Sequence, residues 1–74
     1  MMGSIGKNQY KIFYVSITKS PFAFEHHDEA FAKDANEAVQ MFITNKEGIG
    51  EDVFVLKVFE RKLEYGEKRY RRVI

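Results

Sequence analysis

The sequence contains no cysteine. The chain can therefore form no disulfide, offers no thiol nucleophile and cannot build a cysteine-based zinc site. Because a cysteine-free chain suits a reducing compartment, we expect a cytoplasmic location. No apolar run approaches the roughly 20 residues that cross a bilayer, and the opening Met-Met-Gly-Ser-Ile-Gly-Lys lacks the apolar core of a secretion signal. We expect no membrane partner, a flexible leader over residues 1–8 and a single domain over residues 9–74.

Groups for metal or catalytic chemistry are also scarce. The two histidines, His26 and His27, are adjacent, and on a strand they would point to opposite sides. One ion could bind both only in a loop, and no third histidine or cysteine completes a site. We interpret His26 to Asp28 as a solvated loop, and Ser16 and Ser20 as serines without a base and an orienting residue. The expectation is a non-enzymatic protein without metal, cofactor or small-molecule substrate.

The charge is small and unevenly distributed. Residues 1–59 carry six Lys against eight Asp and Glu, a net −2, whereas residues 60–74 carry six Lys and Arg against three Glu, a net +3. Nucleic-acid-binding domains usually have a pI above about 9. The pI of this chain is about 8.0, which leaves that class open without favouring it.

One stretch, Asp34–Gly48, carries a full set of helix signals. Five apolar residues fall on one helical stripe, at Ala35, Ala38, Val39, Phe42 and Ile43. Asp34 and Glu37 have the spacing of a capping box. Gly48 is positioned for the left-handed C-terminal conformation, and Lys46 lies near the negative end of the helix dipole. These signals predict a helix with defined ends.

The remaining segments have the composition of strands. Tyr10–Thr18 and Asp52–Leu63 are rich in β-branched and aromatic residues, and a short strand is expected over Glu29–Lys33. A final strand is expected over Lys68–Ile74. The predicted order is β-β-α-β-β, an α+β domain in which one helix packs on a mainly antiparallel sheet of three or four strands, giving two layers.

A hairpin turn at Glu64–Glu67 joins the last two predicted strands, because Gly66 can supply a positive φ there. If Tyr65 and Gly66 form a two-residue loop, three cross-strand pairs follow, Glu60 with Arg71, Arg61 with Tyr70 and Phe59 with Arg72. The pairs join opposite charges or a guanidinium and a ring, which is chemically favourable. A three-residue turn would shift this register.

Strict alternation assigns the strand residues to two faces of the sheet. The face toward the helix is expected to contain Phe13, Val15, Ile17, Phe54, Leu56 and Val58. The other face is expected to contain Tyr10, Ile12, Tyr14, Val53, Val55, Lys57, Phe59, Arg61, Tyr70 and Arg72. Since a single helix covers one side only, this second face is predicted to be exposed, and it is far more apolar than a solvated sheet face.

Three interpretations of that second face remain open. Residues 19–28, with Phe22 and Phe24, could fold back over it. It could instead be a protein interface, in a homodimer or with a larger target, because Tyr and Arg are enriched in interface hot spots. Alternatively, its tyrosines could stack the bases of single-stranded RNA or DNA, although the aromatic–glycine signature of RNA-recognition sheets is absent.

We favour a protein partner, or a second copy of the chain, as the ligand of this face. The residues expected to bind that partner are Tyr10, Tyr14, Lys57, Phe59, Arg61, Tyr70 and Arg72. The tyrosines and Phe59 would supply buried area, and the arginines would supply orientation and bidentate pairing. The nucleic-acid alternative uses the same face together with Lys68, Arg69 and Arg71.

Overall fold

A computed structural model describes residues 8–18, 24–63 and 66–74. Within these ranges it confirms the predicted class, since one helix packs on a four-stranded antiparallel sheet in the chain order β-β-α-β-β. The elements are β1 (Asn8–Ser16), β2 (Glu25–Ala32), α1 (Ala35–Gly48), β3 (Val53–Arg61) and β4 (Arg71–Arg72). The strand order is β2-β1-β3-β4, so β1 pairs with both β2 and β3.

The N terminus of α1 is capped by the predicted residues. The Asp34 side chain accepts a hydrogen bond from the backbone N–H of Glu37 at 2.8 Å. The Glu37 carboxylate accepts from the backbone N–H of Lys33 at 2.9 Å, one residue before the position that a standard capping box uses. The cap therefore joins the helix to the end of β2.

The prediction for the C terminus of α1 was wrong by two residues. Gly48 is still helical, and Gly50 is the residue with positive φ, at 74°. The backbone N–H of Gly50 donates to the carbonyl of Glu47 at 3.0 Å, and that of Glu51 donates to the carbonyl of Lys46 at 2.9 Å. This is the hydrogen-bond pattern of a Schellman motif, and it requires the left-handed glycine at position 50.

The helix packs on the opposite side of β1 from that predicted. Tyr10, Ile12 and Tyr14 are buried beneath it, and the ring centroids of Tyr14 and Phe42 lie 4.8 Å apart. The core cluster consists of Tyr10, Ile12, Tyr14, Ala32, Ala38, Phe42 and Val58. The prediction that Phe13 and Val15 face the helix was wrong, and so was the placement of the two tyrosines on the open side. Ile17, also expected under the helix, lies beyond the end of β1 and is exposed.

The neighbouring strand β2 explains this choice of side. Both faces of β1 are apolar, but β2 presents Ala30 and Ala32 on the side of Tyr10, which pairs with Ala30. The small alanine side chains allow the helix to approach the sheet. On the other side, β2 presents longer side chains, including Glu25 and Glu29, which favour solvent over a core.

A β-bulge in β3 explains the error in the third strand. Phe13 pairs with Lys57, but the next residue, Tyr14, pairs with Val55, so Leu56 is an extra residue without a partner in the ladder. The bulge reverses the alternation at this point. As a result, Val58 faces the helix as predicted, whereas Phe54 faces away from it.

The bulge also places Val53 and Val55 on the helix side, where both pack against the core. Strict alternation had assigned both valines to the opposite face, and that assignment was wrong. The β3 residues after Leu56 lie on the faces that alternation predicted for them, because the bulge interrupts the alternation only before those residues.

All four strands differ from their predicted bounds, and the differences are largest in β2 and β4. β2 begins at Glu25, so His26 and His27 belong to a strand and not to a solvated loop. β4 is limited to Arg71–Arg72, although the Val73 backbone N–H continues the contact by donating to the carbonyl of Val58 at 2.8 Å. The register of this hairpin was predicted correctly, since Phe59 pairs with Arg72 and Glu60 with Arg71.

Several sequence predictions fall on residues outside the described ranges. These include the leader, of which only Asn8 is described, as the first residue of β1, and the turn residues 64 and 65. Of the segment 19–28, which folds back over the sheet in one of the three interpretations, residues 25–28 form part of the sheet itself, and residues 19–23 are not described.

Candidate interaction surface

One side of the sheet is not packed against α1, and we call it the uncovered face. It is made of the strand residues that alternate away from the helix, joined by two residues of the C-terminal segment. Its members are Gln9, Lys11, Phe13 and Val15 from β1, Glu25, His27, Glu29 and Phe31 from β2, Phe54, Lys57, Phe59 and Arg61 from β3, and Tyr70 and Arg72.

An aromatic pair occupies the middle of the uncovered face. The ring centroids of Phe13 and Phe59 are 5.5 Å apart in an edge-to-face arrangement, and His27 lies 5.3 Å from Phe13 on the other side. The Nζ of Lys57 lies 5.1 Å from the centroid of Phe13 and 5.9 Å from that of Phe59. The pair is thus held by an ammonium group as well as by ring contact.

Tyr70 forms a second aromatic centre beside this pair. The Nζ of Lys11 lies 4.4 Å from its ring centroid, and the guanidinium carbon of Arg61 lies 5.2 Å from it. The C-terminal segment therefore contributes an aromatic ring to the uncovered face, and two cations from β1 and β3 hold that ring in place.

A polar ladder crosses the uncovered face from β2 to β3. The buried side-chain amide of Gln9 donates to the Glu29 carboxylate at 3.0 Å, and its oxygen accepts from the Arg61 guanidinium. The amide joins an acidic and a basic side chain, so it fixes the orientation of both.

Charge is divided across the uncovered face. The β2 side carries the carboxylates of Glu25 and Glu29, and the β3 and β4 side carries the cations of Lys57, Arg61 and Arg72. Lys57 joins the two sides, since its Nζ is 3.7 Å from the Glu25 carboxylate. The face is therefore acidic along one edge, aromatic in the middle and basic along the other edge.

Apolar side chains on the uncovered face remain accessible. Phe31 is 52% exposed and Phe54 is 59% exposed. They lie at different corners of the same surface as the half-buried Phe13 and Phe59. Large apolar side chains exposed on one surface indicate an interaction site.

The structure divides the seven predicted contact residues into two groups. Lys57, Phe59, Arg61, Tyr70 and Arg72 lie together on the uncovered face. Tyr10 and Tyr14 lie in the core on the opposite side, so their assignment to this surface was wrong.

Sequence reasoning missed nine residues of this surface, among them Phe13, Phe54 and Glu29. A signal for the first was present in the sequence. The small residues Ala30 and Ala32 alternate with Glu29 and Phe31, and that pattern marks the side of β2 that a helix can approach. The two acidic residues on this face could have been assigned from the same pattern.

A groove lies on the helix side, at the free edge of β2, and its volume is about 390 Å³. Lys46 lies within it, with its Nζ 3.2 Å from the Asp28 carboxylate and 3.8 Å from that of Glu51. Burial lowers the pKa of Lys46, but hydrogen bonds to Tyr14 and Asp28 outweigh burial and leave the pKa above its ordinary value. This lysine joins α1 to β2, which is a structural role.

The described residues also bear on metal binding and on membrane crossing. Nowhere in the described ranges do three or more His, Cys, Asp or Glu side chains come together as a metal ion would require. His26 and His27 lie on opposite faces, against Tyr14 and Phe13 respectively. Among residues 8–18, 24–63 and 66–74, no helix is long and apolar enough to cross a membrane.

Comparison with known proteins leaves the surface to be interpreted from its own chemistry. No protein-family model matches the chain. The searches of curated proteins and of solved structures found no match either.

Proposed function

We propose that this chain is a non-enzymatic interaction module that binds a protein through the uncovered face of its sheet. The observation that supports this proposal is the aromatic centre of that face, where Phe13, Phe59 and Tyr70 are held in place by cations. Rings and guanidinium groups that are ordered before binding lose little conformational entropy when a partner packs on them.

The acidic residues of the face favour a protein over single-stranded nucleic acid. Glu25 and Glu29 lie on the same surface as the aromatic centre, and carboxylates there would repel phosphates. The nearby cations are also engaged, since Lys57 is near Glu25 and Arg61 donates to Gln9. A nucleic-acid platform instead keeps its cations free to follow the backbone.

One observation favours the nucleic-acid alternative. Beyond the uncovered face, Lys68, Arg69 and Arg71 are exposed on the C-terminal segment, and they could hold phosphates while Tyr70 stacks a base. This alternative predicts binding that weakens steeply with salt. The cytoplasmic location likewise stays a prediction, based on the absence of cysteine.

The proposal can be tested by photo-crosslinking in cells that produce the chain. Phe54 is replaced with the photoreactive amino acid p-benzoylphenylalanine, because Phe54 lies on the uncovered face and is 59% exposed. We expect this variant to form a protein adduct on irradiation, because the partner packs directly on that side chain. The adduct is identified by mass spectrometry and should survive treatment with nucleases.

Ile49 offers a matched control, because it is 68% exposed but lies at the end of α1 on the other side of the molecule. The same photoreactive residue at position 49 should not form that adduct. Adducts of equal yield from both positions would contradict the proposal. A nuclease-sensitive adduct at position 54 alone would support the nucleic-acid alternative instead.

A further inference from the structure

We infer that the partner of the uncovered face is a second copy of this chain, bound face to face about a two-fold axis parallel to the strands. The inference rests on the proposed function, because it uses the same surface. The charge of that surface supports it, because the surface is acidic along β2 and basic along β3 and β4.

The geometry of such a dimer follows from the strand order. An axis that runs between β1 and β3, midway between two stacked sheets, reverses the left-to-right order of the strands in the second copy. The order β2-β1-β3-β4 is then laid over β4-β3-β1-β2. The acidic edge of each sheet lies over the basic edge of the other, and β1 lies over β3.

The registers predict which residues meet. Residues that lie side by side on neighbouring strands form a row across the sheet. The same row of the second copy lies opposite, because rotation about an axis parallel to the strands does not shift the sheet along them. Glu29, Lys11, Phe59 and Arg72 form one row, since Lys11 pairs with both Glu29 and Phe59, and Phe59 pairs with Arg72. Across the interface, Glu29 of each copy therefore lies opposite Arg72 of the other, and Lys11 lies opposite Phe59.

The next row repeats this complementarity. Phe13 pairs with Lys57, so each ring lies opposite the ammonium group of the other copy, which is a cation–π arrangement. An isologous interface must be complementary to itself in this way. A carboxylate facing a guanidinium, and a ring facing an ammonium group, meet that requirement in two successive rows.

The size of the face is adequate for a weak dimer. Three strands about 4.8 Å apart, each contributing about eight residues at about 3.3 Å, present about 380 Å², and the two residues of β4 add about 30 Å². Two such faces bury about 800 Å² in total, which is below the roughly 1,000 Å² of a stable interface and falls in the range of weak, transient complexes. We therefore expect a reversible dimer whose population depends on protein concentration.

Charge reversal provides a direct test. Glu29 and Arg72 of one chain stand on opposite edge strands, three strand spacings or about 14 Å apart, so they make no contact within a copy. In the dimer, Glu29→Arg alone places two guanidinium groups together, and Arg72→Glu alone places two carboxylates together. We expect each single variant to dimerise at least about tenfold more weakly than the wild type, as measured by sedimentation velocity over about 10–500 µM.

Mixing the two single variants should restore association. Each mixed pair places the introduced guanidinium opposite the introduced carboxylate, and the native Arg72 opposite the native Glu29. We expect the mixture to form heterodimers whose affinity equals that of the wild-type dimer to within about threefold. Circular dichroism of each variant checks that the fold is retained.

Two exposed residues outside the uncovered face supply matched controls. Glu47 lies near the end of α1 and Lys33 lies between β2 and α1. Glu47→Arg and Lys33→Glu make the same changes in charge, and they should dimerise like the wild type. If they weaken association equally, net charge and not the proposed pairing controls it, and the inference is overturned.

Other outcomes separate this inference from the proposed function. A wild-type chain that stays monomeric at the highest concentration, or a mixture of variants that fails to associate, overturns the second copy as the partner. If the residue at position 54 still forms a protein adduct in that case, and the adduct contains a different protein, the interaction module stands and only its partner changes. If no adduct forms, the proposed function fails as well.

Discussion

A single tyrosine shows how a polar group is accommodated in the core of this sheet. Tyr10 is fully buried, and its hydroxyl group donates a 2.6 Å hydrogen bond to the Glu60 carboxylate. Burial, followed by this hydrogen bond, raises the pKa of Tyr10 to about 12. The sequence alone did not predict this burial, because Glu60 is recognisable as a partner only when β1 and β3 are in register.

The raised pKa predicts a loss of stability in alkali. Between pH 10.0 and about 12, an unfolded Tyr10 loses its proton while the folded one keeps it, so the free energy of unfolding falls as pH rises, by about 3 kcal/mol over the whole interval. Tyr10→Phe should remove this contribution. Below pH 9 the same variant should be less stable by about 1 kcal/mol, because the hydrogen bond to Glu60 is lost. Urea unfolding at pH 8 and pH 11 measures both effects.

Tyr70→Phe provides the control, because Tyr70 lies on the uncovered face, where two cations contact its ring. This variant should keep the alkaline decline of the wild type. A decline of equal size in wild type and Tyr10→Phe would show that Tyr10 is not its source.

At the scale of the element, α1 was more predictable than β3. The helix follows from signals within 15 consecutive residues, Asp34–Gly48, and its cap and apolar stripe are those of the structure. A bulge such as that at Leu56 carries no comparable local signal, because every residue from Val53 to Val58 other than Lys57 is apolar. Its position depends on the pairing with β1, which is a long-range contact.

The bulge predicts that β3 tolerates the loss of one residue at one place. Deleting Leu56 leaves Lys57 opposite Phe13 and Val55 opposite Tyr14, so every other side chain keeps its face. We expect this deletion variant to fold with the native topology and to differ in stability by about 1 kcal/mol or less. Urea unfolding and amide NMR spectra would measure this.

Deletion of Phe59 is the matched comparison. It moves the buried Val58 to the uncovered face and brings Lys57 under the helix, so we expect a loss of several kcal/mol or complete unfolding. If deleting Leu56 proves as damaging as deleting Phe59, Leu56 is not an extra residue in the ladder.

At the scale of the whole molecule, chain order and hairpin register followed from the sequence, but the side of the sheet that α1 covers did not. The turn signal and the opposite charges in the sequence predicted the pairing of β3 with β4, and both lie within a short stretch of chain. The choice between two apolar faces of β1 depends instead on a modest difference between small and charged side chains on β2. Five of the seven predicted contact residues share the uncovered face because they follow the bulge in the chain, where the predicted alternation holds, while both tyrosines of β1 were misplaced.

Because the core is small, we expect the loss of one large core side chain to remove much of the stability of the whole domain. Phe42 is only 6% exposed and it contacts Tyr14 across the interface between helix and sheet. Phe42→Ala should lower the free energy of unfolding by about 3–5 kcal/mol, which is comparable to the entire stability expected of so small a domain. Thermal unfolding followed by circular dichroism would show a large fall in the midpoint or no transition.

The adjacent Met41 is 45% exposed, so Met41→Ala should change the midpoint far less. Similar losses in the two variants would mean that α1 does not bury its Phe42 side against the sheet.

The burial of Tyr10 and Tyr14 also determines what tyrosine fluorescence measures in this protein. The chain contains no tryptophan, so its ultraviolet emission comes from tyrosine. Two of these fluorophores lie beneath the helix and Tyr70 lies on the opposite surface. In a Tyr65→Phe variant, emission from Tyr10 and Tyr14 therefore follows docking of the helix. Quenching by an added collisional agent such as iodide selectively measures the accessibility of Tyr70.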